Sequence, residues 1–162
     1  MQILAGLAFL LTAATHTPST VPVPVPKLKA QSACTVVTKA EIEAALGRPV
    51  SNGVEHKDTA QTTCDYTGGE GQITIALGHS PDKLDPDAEI AGLRKALPKG
   101  ALREITDVGT RAYFLDIPHA GAQLHVVRGE HDYLMVSVLG FGGPAQVSEA
   151  AMSIARKALN RL

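Results

Sequence analysis

The chain has 162 residues and is nearly balanced in charge, with 15 Lys and Arg against 16 Asp and Glu. That balance leaves no basic stripe to neutralise phosphates, and with no Trp, three Tyr and three Phe there is no stacking platform either, so the composition argues against nucleic acid. No apolar run approaches the roughly 20 residues needed to span a bilayer, so no transmembrane span is expected in the mature form.

The first apolar stretch, Ile3 to Ala14 (ILAGLAFLLTAA), has the length and content of a signal-peptide core, and residues 1–14 read as an export leader. The segment before it is only Met1-Gln2, without Lys or Arg, and the best cleavage position, after Ala14, has Thr12 at −3. Thr17 to Lys29 (TPSTVPVPVPKLK) alternates Val and Pro. Proline fixes φ and removes a donor, so residues 15–32 read as a stiff, extended linker that cannot join a sheet interior. The remainder, 33–162, is one domain, large enough to bury roughly two-thirds of its unfolded surface. Without Lys27 and Lys29 it is mildly acidic, with 13 basic against 16 acidic residues.

Inside that domain, Thr38-x-x-Glu41 predicts a capping box, with Val37 stapling onto Ile42 and Leu46 completing the buried stripe. Gly47 and Pro49 stop this first helix. Strands are expected over about Val50 to Lys57, Thr62 to Thr67 and Gln72 to His79, the last two joined at Gly68-Gly69-Glu70-Gly71. Ile73, Ile75 and Leu77 alternate with polar or small residues, which buries one face. A second helix begins at Asp85 with Pro86 at its first position and buries Ile90, Leu93 and Leu97 before Pro98 and Gly100. Four more strands follow, over about Leu102 to Val108, Arg111 to Ile117, Ala122 to Arg128 and Tyr133 to Leu139. The last helix, about Ala145 to Leu162, carries Val147, Ala151, Ile154, Ala158 and Leu162 on one stripe, with Lys157 and Arg161 near its C-terminus.

Short connections favour antiparallel pairing, and the helices must cover the apolar face. The expected fold class is α+β: a single curved antiparallel sheet of about six or seven strands with three helices packed on it. A closed barrel is the structural alternative. The two strand–strand–strand–helix halves hint at a pseudo-repeat without residue-level self-similarity.

Cys34 and Cys64 are the only two cysteines, and an even thiol count behind an apolar leader points to a disulfide and an oxidising compartment. Two buried, reduced thiols in a cytosolic protein are the alternative. Neither cysteine sits at a helix start beside basic residues, so a catalytic thiolate is not supported.

The same residues carry a resemblance. Cys34-x3-Thr38-x-Ala40-Glu41-x4-Leu46-Gly47-x-Pro49-Val50 is followed by Cys64-x-Tyr66 and Val108-Gly109-x2-Ala112-Tyr113-Phe114. Leu124-His125-Val126-x-Arg128-Gly129 and an Ala-rich last helix ending in Arg161-Leu162 complete the order. This series resembles a family of exported bacterial domains of unknown function, many of them lipoproteins or periplasmic proteins. The resemblance implies export, a Cys34–Cys64 disulfide and an α+β fold, and brings no catalytic residues. Unlike the lipoprotein members, this chain has no lipobox before Cys34, where Gln31-Ser32-Ala33 stands.

Other patterns have plain explanations. Gly140-Phe141-Gly142-Gly143-Pro144-Ala145 fits G-x-G-x-x-A, but within this sequence no parallel strand and acidic partner follow it; a turn with weak anion binding at the helix start is the residual reading. His119, His125 and His131 fall along one predicted hairpin, too spread to share an ion. Asp82, Asp85 and Asp87 miss the calcium-loop register, and His79-Ser80 lacks a third catalytic member. No catalytic residue, metal ligand or cofactor is therefore assigned. The expected function is a non-enzymatic exported domain, secreted or periplasmic, that binds an envelope protein or a small ligand. A small extracytoplasmic hydrolase, or a weak metal- or anion-binding protein, is the alternative. The first place to look for contacts is the surface carrying Phe141 together with Tyr113 and Asp116.

Overall fold

Local signals set the first helix. In a computed structural model that describes residues 31–162, a 3-10 turn at Ala33–Thr35 leads into α1, Lys39–Leu46. The Thr38 Oγ accepts from the Glu41 amide at 3.3 Å, while the Glu41 carboxylate accepts from the Thr38 amide at 2.9 Å, closing the capping box. Gly47 ends the helix at φ +70°, a left-handed conformation that costs glycine nothing, and its N–H returns to Glu43 O at 2.8 Å. The apolar leader and the Pro-rich stretch as far as Ala30 lie outside the described residues.

Seven strands follow the expected series: β1 Val54–Lys57, β2 Gln61–Gly68, β3 Gly71–His79, β4 Leu102–Ile105, β5 Arg111–Ile117, β6 Gly121–Arg128 and β7 Asp132–Leu139. The second helix, α2, is Pro86–Ala96 and the last, α3, is Pro144–Leu159. β1 is shorter than the expected span from Val50, because Val50 to Gly53 run beside β2, with the Ser51 amide donating to Thr67 O at 2.7 Å, without joining the regular ladder. β4 likewise stops at Ile105, as the chain turns through Asp107 at φ +67° and Gly109 at φ +64°. A Cβ on Gly109 would lie 2.6 Å from Val127 O, so backbone angle and space both require glycine there.

All seven strands form one antiparallel sheet in the order β1-β2-β3-β7-β6-β5-β4. β1 and β4 are its edges, so the sheet is open and the barrel alternative does not occur. The two halves of the chain meet at the centre, where β3 and β7, the last strand of each half, pair antiparallel. Register places Cys64, Ile75, Val136, Leu124 and Phe114 in one row across the sheet. This face packs on α3 and the 3-10 turn, while α1 packs on α3, and together they form the core. Of the expected α3 stripe, Val147, Ala151, Ile154 and Ala158 are buried, but the helix ends at Leu159, which leaves Leu162 beyond it and half-buried.

The adjoining row, Ala76, Met135, His125 and Tyr113, faces the other way. Here α2 sits, with Ile90 as its one buried residue; Leu93 and Leu97 are only half-buried. The second helix therefore covers the opposite face, not the one that α1 and α3 cover.

The disulfide expected between Cys34 and Cys64 is present, with Cα atoms 5.0 Å apart. Cys64 is fully buried, and the bond ties the start of the domain to an interior position of β2. Closing a loop of 30-residue separation restricts the unfolded chain by about 3.5 kcal/mol in the loop-entropy account. Among the described residues no helix is long and apolar enough to cross a membrane.

Candidate functional site

Three connections far apart in sequence converge at one end of the sheet: Leu97 to Ala101 after α2, Leu115 to Gly121 around the β5–β6 turn, and Gly142 to Pro144 before α3. Backbone bonds lock them together. The Asp116 amide donates to Ala101 O at 2.8 Å, and the Gly140 amide donates to Ala120 O at 2.7 Å. Between them lies a groove of about 750 Å³, within the range of small-molecule sites. Its walls are mainly apolar, built by Leu97, Pro98, Leu115, Ile117, Pro118 and Pro144.

Its polar side chains are few. Asp116 is clamped by Arg103, with Nε to Oδ2 at 2.7 Å and Nη2 to Oδ1 at 2.8 Å. These paired bonds hold the Asp116 carboxyl below, and the Arg103 guanidinium above, their ordinary ranges. Arg103 also donates to Ser148 Oγ at 2.9 Å and lies 4.9 Å from the Phe114 ring centroid, so it too is committed. Lys99 makes no ion pair with any described residue, which leaves an ammonium at the rim with no opposing charge. His119 stands at φ +62°, a conformation uncommon for a side-chain-bearing residue, at the turn that forms one wall.

The three residues singled out as a contact surface do not come together. Phe141 is 1% exposed, so it is core and not contact surface. Its ring fills the space left by the missing side chains of two glycines, for a Cβ on Gly71 would lie 2.5 Å from it and one on Gly68 3.2 Å. Tyr113 is equally buried, beneath α2, with its hydroxyl donating to Glu89 at 2.8 Å. Burial, reinforced by Glu89, pushes the Tyr113 phenol well above its usual range. Only Asp116 reaches the groove. Three positions apart on one strand, Tyr113 and Asp116 must point to opposite faces.

The remaining candidates are also dispersed. His125 stacks on Tyr113 at 4.9 Å between centroids, and its Nε2 is buried without a hydrogen-bond partner among the described residues. Burial lowers its pKa, while the Glu89 charge acts in the opposite sense. His131 and His79 sit 5.7 Å apart near the β6–β7 turn, where His79 Nδ1 meets Asp132 Oδ1 at 2.7 Å. His119 is at the other end of the meander. Asp85 caps α2 through the Ala88 amide at 3.0 Å, and Asp87 pairs with Arg111 at 2.7 Å. Among the described residues no three His, Cys, Asp or Glu side chains converge as metal ligands. Of the residues that build the groove, Lys99 and Ile117 carry no functional signal in the sequence, where Pro98 and Gly100 read as a helix stop and Ile117 as a strand end, and His119 is weighed there only as a metal ligand.

Comparison with protein-family models, with curated proteins and with solved structures gives no match to this chain.

Proposed function

We propose that this is an exported, non-enzymatic binding domain of a bacterial envelope and that it works through the groove at the end of its sheet. One observation carries the reading: an apolar-walled concavity of about 750 Å³ held by three loops on a rigid sheet. Among the described lining residues the one carboxylate, Asp116, is bonded to Arg103 and so does not stand free to act with His119 as an acid–base couple. Export is supported by the apolar leader and by the disulfide, which persists in oxidising compartments. The ordered likeness to exported bacterial domains supports the same address.

The test is amide-resolved NMR of the disulfide-bonded domain titrated with a detergent-free extract of its native envelope. Shifts are expected at Ile117, Ala120 and Gly143, and Ile117→Arg should abolish them. Shifts confined to the β1 edge or to the sheet face beyond α2 would overturn the groove as the working site. Turnover of a hydrolase substrate panel that His119→Ala abolishes would overturn the non-enzymatic reading.

A further inference from the structure

The groove's own hydrogen-bonding inventory limits what fits it. Pro98, Pro118 and Pro144 contribute no N–H. The amides of Leu97, Ala101, Asp116 and Ala120 already donate to protein carbonyls, at 2.9, 3.1, 2.8 and 3.1 Å. An amide or hydroxyl of a peptide or sugar laid against Leu97, Leu115, Ile117 and the three prolines meets no donor there, at about 1–3 kcal/mol for each group left without a partner. A hydrocarbon body carries no such cost and gains from the contact of Leu97, Leu115 and Ile117.

The rim gives a sign. Asp116 and Arg103 neutralise each other, which leaves Lys99 as the formal charge without an ion-pair partner. The positive end of α3 reinforces that sign, since its N-cap is Gly143 and no side chain caps it. With one lysine and no uncommitted arginine, the rim matches a single negative charge. A phosphomonoester would draw on further cations or a bidentate fork.

We infer that the groove takes a free single-chain amphiphile with a carboxylate head, its chain along the apolar walls and its head at Lys99. This rests on the groove being the working site. Calorimetry and amide NMR of the disulfide-bonded domain test it with decanoate, decanol and decyltrimethylammonium, each below its micelle threshold. Decanoate should bind at the groove amides about tenfold more tightly than decanol, the worth of one charge-assisted bond. Lys99→Glu should remove that advantage, leave decanol binding unchanged and shift the preference to the cation. Ile117→Arg should weaken both neutral and cationic ligands, and matching far-UV spectra establish that each variant is folded.

Equal binding of the three compounds, or an unaltered preference in Lys99→Glu, overturns the inference. So does capture by phosphatidylglycerol vesicles without uptake of decanoate. If envelope extract shifts the groove amides and decyl compounds do not, the ligand class is wrong and the groove reading stands. If neither shifts them, both fall.

Discussion

The two faces of the sheet are held in different ways. On one, α1, α3 and the 3-10 turn close over a continuous apolar layer, with Ile73, Ile75, Leu124, Val136 and Ile154 all fully buried. A covalent bond fastens its margin, and Arg161 binds the Glu41 carboxylate through two nitrogens at 2.8 Å while also donating to Val36 O. On the other, α2 buries Ile90 alone. It is otherwise tied by the Glu89–Tyr113 hydrogen bond and by ion pairs from Asp87 to Arg111 and from Arg94 to Glu104. Exposed ion pairs contribute little, so the first face is the scaffold and the second carries an element that opens at low cost. The groove lies where α2 hands over to β4, at the border between the two.

Four measurements would break or sharpen that contrast. The largest effect belongs to the scaffold: Phe141→Ala should cost about 3–5 kcal/mol in denaturant melts, because the void against Gly68 and Gly71 has rigid walls. A loss below about 1 kcal/mol would mean that the ring is not part of the core. Next, replacing Cys34 and Cys64 together with Ala should lower stability by about 3.5 kcal/mol with the native spectrum retained. The same thiols in the native protein should resist alkylation until a reductant is added.

The third measurement concerns α2. Ile90→Ala should raise hydrogen exchange at α2 amides severalfold while α3 amides keep their protection; parallel loss in both would make the faces one cooperative unit. The smallest effect is that of pH on the same face. His125 is held neutral by burial, so its folded pKa lies below its unfolded value. The unfolded chain then binds the proton more readily, and stability present above the unfolded pKa, near 6.5, is lost as pH falls through the lower folded value. His125→Phe keeps the stack on Tyr113 and should flatten the part of the profile that falls away below about pH 6.5. An unchanged profile would show that Glu89 cancels the burial. The carboxyl of Glu41, held far below its ordinary range by Arg161 and Thr38, acts in the same direction at lower pH.

Much of this architecture was legible where one element carried its own signal. The Thr38–Glu41 box, the Asp85–Pro86 start of α2, the alternation through β3 and the apolar stripe of α3 each name an element and its buried side. What the sequence left open is long-range. Nothing local tells β7 to pair with β3, and the Ile90, Leu93 and Leu97 stripe fits either face of a sheet. Phe141 looked like an exposed tip because the glycines that receive it lie about 70 positions earlier, across another hairpin. The groove was invisible for the same reason: none of its three loops is concave alone. Only their register brings Lys99, Ile117 and Pro144 around one space.

The Cys34–Cys64 link also fixes how the domain carries load. Tension applied to the chain ahead of Cys34 passes through sulfur directly into the sheet, so the intervening segment, α1 included, is shielded from stretching. Reduction would release that reserve and lengthen the extensible chain by about 100 Å at full extension. Under such tension the bond is a mechanical stop that leaves α1 at rest.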